Sequence, residues 1–290
     1  MVPNDIWQSY DLAELDRQYD ARASVASFDA EYAKYVAVSA RALADPRRIP
    51  GLVYDPTSGQ NLDLYVAGPN SPLFVWIHGG YWRALSKDDN GFAALGLVER
   101  GVSVAVVNYS LVPAVTLDEI VRQVRQSVAW LNRHAAAYGC DGRRIHVGGS
   151  SAGGHLAGML LAEGWARAAG LPEDVIGVAL ALSGLFDLEP VRLTKVNGWL
   201  AIDGEAARRN SPQRLIPGRT SARLIAAVGG LETDEFRRQT TDFAADWSRA
   251  GHACRTVAMP AHNHFDIALS LSEPHGALCE AVVAEIAALA

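Results

Sequence analysis

The chain has 290 residues, 49% hydrophobic and 20% charged, with 26 glycines, 13 prolines and a formal net charge of −6. This length suits one large α/β domain or two ordinary ones, and near-average apolar, glycine and proline usage excludes disorder, collagen-like repeats and coiled coil. A mildly acidic chain lacks the basic footprint that neutralising phosphates requires, so small molecules rather than nucleic acid are the expected partners.

Residues 1–50 read as a helical N-terminal extension: from Asn4 to about Ala44, Ala, Tyr, Leu and Val recur at helical spacing until Pro46 interrupts. Residues 52–67 alternate on both sides of a Pro-Thr-Ser-Gly turn, the pattern of an antiparallel hairpin. Two near-continuous apolar runs follow, residues 73–78 and 102–110, as expected of strands covered on both faces of a parallel sheet. Helices are expected at residues 91–100 and at 117–139. In the second of these Ile120, Val121, Val124, Val128 and Leu131 share one face, and Gly139 is the stop.

Further along, strands are expected at 144–148, 175–185, 222–229 and 254–259, and helices at 152–169, 233–250 and from about Gly276. This order predicts an α/β fold, an open and mostly parallel sheet with helices on both faces. Between Phe186 and Ser221 the pattern breaks among scattered prolines and glycines, so residues 186–221 read as a lid-like insertion over the active face.

Cys140, Cys254 and Cys279 are too few and too scattered for a disulfide framework or a zinc site. The chain opens without a basic segment leading into an apolar one, and no stretch approaches 18 uninterrupted apolar residues. A cytoplasmic protein with no membrane partner is the expectation. Open α/β surfaces often dimerise, so a homodimer is the assembly to look for, although no segment identifies its interface.

Between an expected strand and an expected helix lies GGSSAGG, in which Gly149, Ser151 and Gly153 satisfy GxSxG. A nucleophile on a sharp strand-to-helix turn needs small residues two before and two after it. Ser150 fails this requirement because Ala152 sits two after it. At the end of residues 73–78 stands HGGYW, where glycines let backbone amides approach a developing oxyanion. The expected donors are the amides of Gly80, Tyr81 and Ala152, with His78 a structural residue of the loop. Tyr81 and Trp82 are candidate walls of an aryl pocket.

The triad order of this elbow architecture is serine, acid, histidine. The base is therefore His262 or His264, with His264, which adjoins the helix starting near Asp266, preferred. Glu232 at a strand end is the preferred acid. Asp187 is the reserve, while Asp234 and Glu235 are explained by the dipole of the helix they open. His262, His264 and Asp266 also form HxHxD, a spacing used by metal-dependent hydrolases, but the other histidines are dispersed and no HExxH occurs, so neither metal nor cofactor is expected.

With these motifs the sequence resembles the α/β-hydrolase superfamily, and within it the serine-dependent kynurenine formamidases and their bacterial esterase relatives. The likeness runs through HGGYWR at residues 78–83, GGSSAGGHLAG at 148–158, SGLFDLEPV at 183–191, ARRNSP at 207–212, VGGLETDEFRRQ at 228–239 and HNHFDI at 262–267. It implies a single α/β-hydrolase domain over residues 1–290. The nucleophile matches Ser151 and the base His264. The acid falls on Glu232, where the family usually has Asp. The implied activity is cofactor-free removal of a small acyl group from an aryl amide, of the N-formylkynurenine type, or else general carboxylester hydrolysis.

Overall fold

A computed structural model describes residues 6–289; residue 290 and the first five residues of the N-terminal extension, Asn4 among them, lie outside the described part. In chain order it has α1 (Leu12–Gln18), α2 (Phe28–Leu43), β1 (Arg48–Asp55), β2 (Gln60–Tyr65), β3 (Ser71–Ile77), α3 (Phe92–Glu99), β4 (Ser103–Val107) and α4 (Leu117–His134). Then come β5 (Cys140–Ser150), α5 (Ala152–Met159), α6 (Trp165–Ala168), β6 (Ile176–Leu182), α7 (Leu188–Arg192), α8 (Asn197–Leu200) and α9 (Gly204–Arg209). The chain closes with β7 (Arg223–Gly229), α10 (Asp234–Arg249), β8 (Cys254–Met259), α11 (Asp266–Leu269) and α12 (Ala277–Ala287).

The strands form one sheet in the order β1-β2-β4-β3-β5-β6-β7-β8, antiparallel at β1/β2 and β2/β4 and parallel from β4 onward. The continuous apolar run of β3 follows from its central place. Leu73, Val75 and Ile77 enter the core under α4, α5 and α10, while Phe74 and Trp76 point to the opposite layer under α3 and α12. The hairpin closes where Asp55 pairs with Gln60. Thr116 caps α4, and Ile120, Val121, Val124, Val128 and Leu131 are all buried. Among the described residues no helix is long and apolar enough to cross a membrane.

Three expectations need correction. The helical stretch of the N-terminal extension ends at Leu43, as expected, but β1 has begun by Arg48, inside the extension's expected bounds of 1–50. The strand expected at 144–148 extends to Cys140–Ser150, because Ser71 and Pro72 of β3 continue to pair with Cys140 and Asp141 across a register shift. The helix expected over 152–169 ends at Met159: Gly164 takes a left-handed φ of 86°, and the Trp165 indole donates to the Leu160 carbonyl at 2.9 Å, satisfying an acceptor freed at that break. Residues 186–221 carry three short helices, which with the link between the last two bury Leu188, Val191, Leu200, Ile202 and Ala207 against the core.

Candidate active site

β5 delivers Ser151 on a turn that the rest of the chain makes tight. Ser151 has φ 59° and ψ −119°, a conformation costly for any residue with a side chain, and its amide donates to the Leu182 carbonyl of β6 at 2.9 Å. The flanking glycines are required sterically. A Cβ on Gly149 would strike the Gly153 backbone, and one on Gly153 would strike the carbonyl oxygen of Ile77 at the end of β3. The turn is thus wedged between β3 and α5, and Ser151 is 6% exposed.

The neighbouring loop, after β3, is equally unusual. Gly80, Tyr81 and Trp82 have consecutive φ values of 99°, 51° and 57°. Two non-glycine residues in succession in the left-handed region is the kind of strain that surrounding structure must hold in place. Arg83 and Ala84 donate their amides back to the Gly80 carbonyl at 3.0 and 3.1 Å. His78 is fully buried, stacks on Tyr109 at 4.1 Å, and sits with Nδ1 2.9 Å from the Gly79 carbonyl; burial lowers its pKa to about 4 and keeps it neutral. The amides of Gly80, Tyr81 and Ala152 have no acceptor among the described residues.

The residues expected as acid and base, Glu232 and His264, meet across the ends of β7 and β8. His264 Nδ1 donates to Glu232 Oε2 at 2.5 Å, and the other carboxylate oxygen accepts from Ser183 Oγ at 2.6 Å and from the Gly229 amide at 2.7 Å. Both loops are stitched by backbone bonds, Gly230 N to Met259 O at 2.9 Å and Leu231 N to His262 O at 3.0 Å. Glu232 and His264 are 4% and 5% exposed. Phe236 packs against the His264 ring at 4.3 Å, and Tyr35 of α2 donates to the Phe265 carbonyl at 2.9 Å, fixing the base loop from the other side.

Ser151 and His264 line one cavity of about 310 Å³, together with Gly79, Gly80 and Tyr81. Among the described residues no hydrogen bond joins Ser151 Oγ to His264, a looseness common in sites without substrate. Of the other acids, Asp187 caps α7 through the Glu189 amide, and Asp234 pairs with Arg237 at the surface. His262 contributes its backbone carbonyl to the acid loop. Asp266 accepts the Asn263 amide at 2.8 Å, so the HxHxD segment is folded into a helix cap; among the described residues no group of three or more His, Cys, Asp or Glu could hold a metal.

The aryl-pocket expectation is half corrected. Tyr81 lines the cavity, its hydroxyl donating to the Tyr19 carbonyl at 2.6 Å. Trp82 does not: it is fully buried behind the loop, with Nε1 donating to Nδ1 of His155 at 3.2 Å, while His155 Nε2 is 2.7 Å from the Asn210 carbonyl. The two rings meet edge-to-face at 6.1 Å, with Tyr81 on the cavity side and Trp82 behind it. Residues that sequence reasoning passed over complete the wall: Tyr19 and Arg22 ahead of α2, Phe28, Tyr32 and Tyr35 on α2, and Trp199 on α8. The spacing 28, 32, 35 is a one-sided aromatic stripe and was the available signal. Ser183, which buttresses Glu232, offered none beyond its place after β6.

Comparison with known proteins agrees with this architecture. The BD-FAE family model matches residues 62–168. Kynurenine formamidase of Danio rerio is 32% identical over 275 residues, 90% of this chain and 92% of that protein. That of Salmo salar is 33% identical over 276 residues with the same coverage. A Silicibacter crystal structure described as a candidate thioesterase superposes with a TM-score of 0.81 at 30% identity, covering 93% of this chain and 99% of that one. The chain is a hydrolase of the α/β-hydrolase fold and belongs to the kynurenine formamidase family.

Proposed function

We propose that this enzyme hydrolyses N-formyl arylamines, N-formyl-L-kynurenine among them, through a formyl-enzyme on Ser151. The observation that carries the reading is one cavity in which Ser151 and the Glu232-paired His264 face a wall of aromatic rings, Tyr81, Phe28, Tyr32 and Trp199. A formyl group needs little room, and an aryl leaving group is what such a wall accommodates. Relatives named for that activity align along nine-tenths of the chain.

Because His264 Nδ1 carries the proton given to Glu232, its Nε2 is the unprotonated nitrogen and the general base. Ser151 Oγ attacks the formyl carbonyl as Nε2 takes its proton, and the oxyanion falls to the amides of Gly80, Tyr81 and Ala152. The imidazolium, stabilised by Glu232, then protonates the departing arylamine. Water, deprotonated by the same nitrogen, attacks the formyl ester, releasing formate and restoring Ser151. Ester substrates pass through the same steps, which keeps carboxylesterase activity as the second reading. We also place the enzyme in the cytoplasm, a reading supported by the free thiols Cys140, Cys254 and Cys279.

The test is kcat/KM for N-formyl-L-kynurenine beside p-nitrophenyl acetate, with Ser151→Ala as control. Efficient formamide turnover supports the proposal; ester turnover with negligible formamide turnover replaces it by the esterase reading.

A further inference from the structure

Three cations reach the cavity wall, and they are not equivalent. Lys195 is held by Asp20, Nζ to Oδ2 at 2.5 Å, and Asp20 lines the same cavity, so that pair offsets its own charge. Arg22 and Arg83 have no carboxylate partner among the described residues. Each sits over an aromatic ring instead, Arg83 with Cζ 3.9 Å from the centre of Trp199 and Arg22 with Cζ 4.1 Å from that of Phe28. Many arginines elsewhere on this surface are paired, Arg17 with Glu14, Arg122 with Asp55 and Arg209 with Asp118. The cavity therefore keeps two uncompensated guanidiniums in an otherwise acidic chain of net charge −6.

A ring under the guanidinium occupies its face and leaves its N–H edge, the part that pairs with a carboxylate through two parallel hydrogen bonds. Arg83 is also fixed to the oxyanion loop, since its amide donates to the Gly80 carbonyl at 3.0 Å. Its position relative to the reacting carbonyl is set by the loop that binds that carbonyl. We propose that Arg83, with Arg22 as a second cation, reads the carboxylate on the arylamine side of the substrate and is the specificity-determining residue for it. The inference rests on the hydrolytic reading above and adds the residues that recognise the substrate's carboxylate. The contact is remote from the bond that breaks and is made equally in ground state and transition state, so it acts on KM.

The experiment uses two matched pairs, N-formyl-L-kynurenine with its α-carboxamide, and 4-acetoxybenzoate with 4-acetoxybenzamide. Each is assayed with wild-type enzyme, Arg83→Gln, Arg83→Lys and Arg22→Gln. The expected result is a wild-type preference for the carboxylate-bearing member of about 10- to 100-fold. Arg83→Gln abolishes it through KM, with the loss confined to the carboxylate-bearing member. Arg83→Lys recovers part, because an ammonium keeps the charge without the fork, and Arg22→Gln gives a smaller loss of the same sign. An Arg83→Gln enzyme that loses kcat equally on both members, or keeps the preference, overturns the inference. Formamide turnover without charge preference overturns it while leaving the formamidase reading intact. Ester-only turnover with a charge preference that Arg83→Gln removes does the reverse.

Discussion

Ser151, Glu232 and His264 stand at the ends of β5, β7 and β8, almost without exposure, and each is held by backbone: the Leu182 carbonyl, the Gly229 amide, and the bonds that tie the two acid–base loops together. The outer wall of the same cavity is assembled differently. Its residues come from the segment before α2, from α2 itself and from the short helices after β6. Long side chains join these pieces, Lys195 to Asp20, Tyr81 to the Tyr19 carbonyl, and Thr233 to the Gln18 carbonyl at 2.6 Å. Hydrogen-bonded sheet ends give positional precision, which acyl transfer needs. Segments docked by side chains can be exchanged with little disturbance to the sheet, which is where substrate choice is expected to reside.

The largest test of this division strikes the inner part. Ser151→Ala should lower kcat at least about 10⁴-fold with an unchanged thermal midpoint, because the residue is small and the turn remains. Residual turnover near wild type would remove the serine mechanism altogether. Glu232→Gln comes next, with a loss of about 10² to 10⁴ in kcat. The amide can still accept from Ser183 and Gly229, but its NH₂ then faces His264 Nδ1 and drives the proton to Nε2, the nitrogen that has to accept. A pH–rate profile separates this from misfolding: the wrong tautomer keeps a folded, binding-competent protein with depressed kcat.

The two parts also differ in how far the sequence reveals them. GxSxG, HGGYW and HNHFD are contiguous strings whose chemistry requires particular neighbours, so a sharp strand-to-helix turn at Ser151 can be inferred from Gly149 and Gly153, though not that β3 closes on it. Glu232 follows from its place after a strand. The wall cannot be read this way, since Tyr19, Tyr32 and Trp199 are far apart in sequence and meet only through docking of α2 and α8. Trp82 shows the limit within a motif. Its adjacency to Tyr81 suggests a shared pocket, yet Trp82 packs edge-to-face behind the Tyr81 ring, fully buried, and only Tyr81 lines the cavity.

A third test concerns stability. Burial lowers His78, His146 and His155 to a pKa of about 4 each. Unfolded histidine titrates near 6.5, so between about pH 6.5 and 4 the unfolded chain binds more protons than the folded one, and stability falls as pH falls through that window. Urea midpoints should fall as pH is lowered from 7.5 to 4.5, because these rings must charge on unfolding. His155→Phe should remove one of them. A flat profile would mean that these rings are solvated or paired when charged.

The smallest expected effect decides to which part Trp82 belongs. An indole N–H can only donate, so His155 Nδ1 accepts from Trp82 and its Nε2 carries the hydrogen to the Asn210 carbonyl. This chain links the oxyanion loop to α5 and to the segment after α9 without touching the cavity. Trp82→Phe keeps most of the ring but leaves Nδ1 buried and unpaired, at a cost of about 1–3 kcal/mol. The urea midpoint should therefore fall with an unchanged m-value, while KM for any aryl substrate stays close to wild type. In the His155→Phe background the Trp82→Phe cost should shrink, because the acceptor it orphaned is gone. A raised KM with no loss of stability would instead return Trp82 to the substrate wall, and the division would have to be redrawn through the middle of the HGGYW loop.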